Sequence, residues 1–137
     1  MKFVFSAGIV VYFKRKEKVQ YLLLLNANGH WDFTKGKIEK GEDKMAAAIR
    51  ETYEEAGIAV QIDESFEHTI EYFFKEKDGE LIRKKVYFFA GKAKTKQIKI
   101  SFEHIDYGWF SFKEAQEKLS YKNAKQVLQA VHDFLEA

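Results

Sequence analysis

The stretch GKIEKGEDKMAAAIRETYEEAGI, from Gly36 to Ile58, limits what the chain can fold into more than any other. From about Lys44 to Ala56 the pattern is helical, with Asp43 placed as an N-cap and Gly57 as the residue that ends the helix. At 100° per residue, Met45, Ile49, Thr52 and Ala56 fall on one stripe, expected to face a core, and Ala46 to Ala48 keep the preceding turn slim. Glu51 and Glu55, at i and i+4, share a different face with Glu54 beside them and Glu42 just upstream. Like charges at that spacing repel by about 0.2–0.5 kcal/mol per pair. A divalent cation, neighbouring cationic side chains or water must offset the repulsion. Arg50 and Glu54 are themselves i, i+4 partners. Carboxylate oxygens suit Mg²⁺, which takes carboxylates together with water and substrate phosphates. Alone, an acidic helix face is most simply a solvated surface.

On either side of this helix the chain is rich in strands. Phe3 to Phe13 carries Val, Phe and Ile and predicts a strand; the turn KRKEK then leads into a second, Val19 to Leu25, as its hairpin partner. NANGHWDFTKGKIEKGED, with three glycines and few periodic apolar positions, reads as a loop. Ala59 to Ile62 and Glu67 to Lys75 are strand-like, the latter turning at Asp78-Gly79 into Leu81 to Lys94. HIDYGWFSF gives another strand, and Phe112 to Leu119 and Tyr121 to Glu136 read as closing helices. This order predicts an α/β fold, a mixed β-sheet covered by helices on both faces. No linker, repeat or low-complexity stretch interrupts it, so residues 1–137 are expected to form one domain.

At 137 residues and 46% apolar content, the chain suits such a domain with a real core. A net charge of +2 is too small for a field that would bind polyanions by itself. Local clusters matter more, namely Lys35, Lys37, Lys40 and Lys44, then Arg83, Lys84 and Lys85. With no cysteine, disulfides and thiolate metal sites are excluded. MKFVFSAGIVVYFKRK has an apolar run too short to span a membrane and no signal-type cleavage region. No membrane partner is expected, and a cytoplasmic location is the default.

The frame around the acidic helix resembles the Nudix box, which is a glycine, five residues, a glutamate, seven residues, then Arg-Glu-U-x-Glu-Glu-x-Gly-U with U a bulky aliphatic. Here it is Gly36, Glu42, Arg50, Glu51, Thr52, Glu54, Glu55, Gly57 and Ile58. All charged and glycine positions match, which by residue frequency happens by chance less than about once in a million chains. Thr52 stands where an aliphatic is usual. The resemblance extends along the whole chain and implies a Nudix-type α/β/α sandwich that hydrolyses a nucleoside diphosphate linked to another group. It implies that Glu51, Glu54 and Glu55 hold Mg²⁺, or Mn²⁺ in its place, helped by a loop carbonyl near Lys35. Arg50 and Glu42 would brace loop and helix. Glu51 or Glu55 would take the proton as water attacks phosphorus.

HWDFTKGKIEKGE and SFEHIDYGWF are similar to the asymmetrical diadenosine tetraphosphate hydrolase branch of this family, the second through Ser101, Glu103, His104, Tyr107 and Trp109. That likeness implies Glu103 as an extra metal ligand or proton acceptor. It also implies His30, Lys35 and Lys84 on phosphate and Tyr72 and Tyr121 stacked on a nucleobase. Trp31, Phe33 and Trp109 are expected in the core, and His68 and His132 have no evident partner. Thr34 stands where the branch has proline and is expected to leave the turn looser. The partner implied is a dinucleoside polyphosphate or other nucleotide, acted on by a monomer. Two alternatives stay open: removal of pyrophosphate from RNA 5′ ends or nucleoside triphosphates, and a nucleotide-sensing module that binds without cleaving. Sensing modules often lose box glutamates, and none is missing here.

Overall fold

A computed structural model describes residues 1–137. Its axis is β1 (Lys2–Arg15), whose middle is buried on both faces, Ala7, Ile9 and Val11 to one side and Val10 and Tyr12 to the other. Burial on both sides accounts for the unbroken apolar run in place of alternation. Arg15↔Lys18 closes a hairpin with β2 (Lys18–Asn26), in which Tyr12 faces Tyr21. On its other edge β1 runs parallel to β7 (Leu81–Ala93), from Lys2↔Ile82 to Tyr12↔Lys92.

β6 (His68–Lys75) and β5 (Val60–Ile62) both pair antiparallel with β7, and β8 (His104–Phe110) pairs with β2. The β6–β7 connection turns at Gly79, with φ 84. The sheet is therefore mixed, with β2, β1, β7 and β5 side by side in that order along its main path.

The segment that reads as a loop holds two more strands, β3 (Trp31–Asp32) on β2 and β4 (Thr34–Lys37) on β1. Both are too short to show a period. β4 forms because β2 leaves β1 after Tyr12↔Tyr21 and the exposed edge at Ser6 to Ile9 takes it as a partner, whereas β3 lies on β2 at Leu24 and Leu25.

α1 (Lys44–Ala56) covers the face of Ala7, Ile9, Val11, Leu22 and Leu24; α2 (Phe112–Lys118) and α3 (Lys122–Glu136) lie on the side of Val10, Leu23, Val86 and Phe88. The arrangement is an α/β/α sandwich. α1 buries most of the expected stripe: Thr52 and Ala56 face the sheet and Met45 packs partly against the core, but Ala47 and Ala48 are buried where Ile49 was expected, and Ile49 is 45% exposed. Small side chains let the helix lie close to β1 and β4, with Glu51 and Glu55 turned inward. His132 does have partners: Nδ1 is 3.0 Å from the Tyr21 hydroxyl and the ring stacks on Phe112 at 3.9 Å. No helix is long and apolar enough to cross a membrane.

Candidate active site

β4 and α1 meet at a glycine. A Cβ on Gly36 would overlap the Glu51 carboxyl group, so the bare backbone there is what lets Glu51 lie against the strand. One residue earlier, the Lys35 amide donates to Glu55 Oε1 at 2.9 Å. Helix α1 ends at Gly57, whose φ of 63 suits glycine and whose amide donates to the Tyr53 carbonyl at 2.8 Å. Its bare Cα also admits Lys99, whose amide donates to Ala56 O at 2.9 Å.

Arg50 ties the loop to the helix. Nε and Nη2 donate to the two Glu42 oxygens at 2.8 and 2.9 Å, Nη1 to Glu51 at 2.9 Å and Glu54 at 3.2 Å, and Nη2 also to the Lys37 carbonyl at 3.1 Å. Its hydrogen bonds, with one from the Glu39 amide, hold Glu42 well below the usual carboxylate range, at about 2. Thr34 and Thr52 add a second tie. Their hydroxyls lie 2.7 Å apart, fully buried, and Thr34 also donates to the Ile9 carbonyl at 3.2 Å. The turn expected to be looser for lack of proline is thus fastened to α1 by Thr52, the residue that departs from the box.

The acids are not at ease in this frame. Burial pushes Glu55 up to about 8, against the pull of the Lys35 amide, and the charges of Glu51, Glu103 and Asp32 add to it. Burial also raises Glu51, though Arg50 opposes the rise. Glu103 comes from a turn in which the His104 amide donates to Ser101 O at 3.1 Å, and the Ser101 amide donates to Glu55 O at 3.0 Å. Burial lowers His104, countered by Glu103 and Asp32.

On the other side of Lys35 a cavity of about 480 Å³ brings together Lys35, Lys84, Tyr72 and Tyr121. His30 is outside its lining but packs on Tyr121 at 5.2 Å between ring centroids. Lys35 Nζ is 3.0 Å from Asp32 Oδ2. Burial acts to lower Lys35, yet Asp32 and the two tyrosines outweigh it and the net shift is upward. Lys84 has no such partner and is lowered, by burial and then by Lys35. Asn26, Asp32 and Asn123 also line the cavity, and sequence reasoning missed all three. Asp32 could have been found as an i, i+3 partner of Lys35; the two asparagines come from distant elements and carry no local signal.

Residues 2–131 match the NUDIX domain family. The chain belongs to the Nudix family. It is 33% identical over 143 residues to the asymmetrical bis(5′-nucleosyl)-tetraphosphatase of Sus scrofa, covering 95% of this chain and 94% of that one. To the enzyme of the same name from Caenorhabditis elegans it is 33% identical over 132 residues, 95% of each. The solved binary complex of a C. elegans Ap4A hydrolase superposes with a TM-score of 0.81 at 31% identity, covering 97% of this chain and 98% of that one. An E. coli dihydroneopterin triphosphate pyrophosphohydrolase, 20% identical, shares the fold with a TM-score of 0.74 over 95% and 97%. This Nudix chain is accordingly a hydrolase.

Nudix hydrolases generally use divalent metal ions such as Mg²⁺, and the donor set fits one. As the side chains lie, no group of three or more acidic or imidazole residues is placed to hold a metal ion, and Mg²⁺ commonly takes waters and substrate phosphates beside its carboxylates. Half-buried, mutually repelling carboxylates, with Glu55 pushed by burial to about 8, would gain from a neighbouring cation.

Two outcomes follow for the Nudix frame. Gly36→Ala displaces the Glu51 carboxylate and is expected to lower turnover about 100-fold or more, with the circular dichroism spectrum retained. For Glu55 the folded state holds its proton up to about 8, whereas the unfolded chain releases it near 4.5. The folded state therefore loses stability as pH rises between those values. Thermal melts of metal-free protein should show Glu55→Gln more stable than wild type at pH 9, the gap closing by pH 4.5.

Proposed function

We propose that this chain is a Mg²⁺-dependent hydrolase of dinucleoside polyphosphates, cleaving diadenosine tetraphosphate to ATP and AMP. The observation that carries this reading is the double engagement of Lys35. Its main-chain amide holds Glu55, and its ammonium faces a cavity flanked by two tyrosines. One residue thus joins an acidic, phosphate-cleaving centre to a compartment suited to a nucleoside. The relatives at 33% identity over nearly the whole chain are named for this activity, which supports the reading.

In this reading Tyr72 and Tyr121 hold one adenine by its faces. Lys35, Lys84 and His30 neutralise phosphate oxygens, and lysine does so as a point charge that tolerates small displacements. Glu51, Glu54, Glu55 and Glu103, with the Lys35 carbonyl, hold Mg²⁺ or Mn²⁺. When bound, the ion supplies positive charge against the phosphate oxygens and lowers the pKa of water. Glu51 or Glu55 accepts the proton as the water oxygen bonds to phosphorus. The bridging P–O bond breaks, and ATP and AMP separate. The chain acts as a single domain over residues 1–137, as a monomer and in the cytoplasm.

Incubation of the purified protein with diadenosine tetraphosphate, triphosphorylated RNA and deoxynucleoside triphosphates, followed by chromatography, tests the reading. ATP and AMP in equal amounts from the first substrate are expected; turnover of the other two alone would contradict it. Glu55→Gln should reduce turnover by orders of magnitude while leaving the fold intact. Unchanged turnover would remove that carboxylate from the site.

A further inference from the structure

A dinucleoside polyphosphate carries two bases, and Tyr72 and Tyr121, which line the cavity of about 480 Å³, are taken up by one in the reading above. The second needs an aromatic face elsewhere. Glu55 links the cavity to another part of the chain: its side chain accepts the amide of Lys35, a cavity residue, at 2.9 Å, and its main-chain carbonyl accepts the Ser101 amide at 3.0 Å. Ser101 opens the turn that carries Glu103, closed by the His104 amide on the Ser101 carbonyl at 3.1 Å. A side-chain contact from Ser101 Oγ to His104 Nδ1 at 3.2 Å holds it as well. None of the residues lining the cavity belongs to this turn.

At its tip, next to Glu103, stands Phe102. It is 97% exposed, more than any other large apolar side chain of the protein. Water gains nothing from a phenyl ring held out on a braced turn, whereas a nucleobase arriving beside Glu103 would cover it. We propose that Phe102 is the stacking platform for the second base of the substrate, so that the chain grips both ends of a dinucleoside polyphosphate with the carboxylates between them. This rests on the substrate class proposed above. A phenyl face takes any base, so the platform favours two-base over one-base ligands without choosing the base.

The test compares diadenosine tetraphosphate with adenosine 5′-tetraphosphate, which has the same phosphate chain and one base, on wild type, Phe102→Ala and Phe102→Trp. A methylene-bridged diadenosine tetraphosphate that cannot be cleaved gives Kd by calorimetry. Phe102→Ala should raise KM and Kd for the two-base ligands about fivefold or more, with kcat and the one-base KM unchanged. Phe102→Trp should keep wild-type values or tighten them. An unchanged two-base KM in Phe102→Ala, or equal losses on both substrates, would overturn the platform while leaving the substrate class standing. Folded wild-type protein that cleaves no dinucleoside polyphosphate would overturn the substrate class, and the platform with it.

Discussion

Two acidic side chains pressed against the backbone of one strand set the terms for this structure. Glu51 lies over the bare Cα of Gly36, and Glu55 accepts the amide of Lys35, so β4 and α1 approach more closely than side chains of ordinary size would allow. Ala47, Ala48 and Thr52 on the buried side of α1 suit that closeness, and Ile49 lies 45% exposed. The sheet supplies the place for this contact, because β4 fills the edge of β1 that β2 has left.

Holding acids there is unfavourable unless the surrounding groups resist their separation. Arg50 does so from outside by drawing Glu42, Glu51, Glu54 and the Lys37 carbonyl onto one guanidinium. The Thr34 and Thr52 hydroxyls do so from inside, in a site with no water to compete for their bond. Glu55 is held by the Lys35 amide instead, and burial pushes it up to about 8.

The longer elements could be read from the sequence because their periods span many residues: the β1–β2 hairpin, the turn at Gly79 and the three helices all lie close to where patterning places them. The two short strands could not, since β4 exists only through tertiary pairing with Ser6 to Ile9. Helical periodicity located α1 and set Thr52 and Ala56 on its buried side, but it misplaced Ile49, because apolarity counts it as core whereas close packing on a strand selects Ala47 and Ala48. The paired hydroxyls were hidden for a similar reason. Thr34 and Thr52 each look like a weakened position alone, and only the fold sets them 2.7 Å apart. The box frame could be recognised because its spacing follows one helix and its adjoining loop; Asn26, Asp32 and Asn123 meet only across the cavity.

Titration of metal-free protein with Mg²⁺ by isothermal calorimetry, repeated near pH 7 in buffers of different ionisation enthalpy, addresses the central claim most directly. A frame that keeps Glu55 at about 8 without a cation should take up Mg²⁺ and release a proton on doing so, seen as a buffer-dependent heat. Folded protein that takes up no cation, with or without nucleotide, would contradict the account.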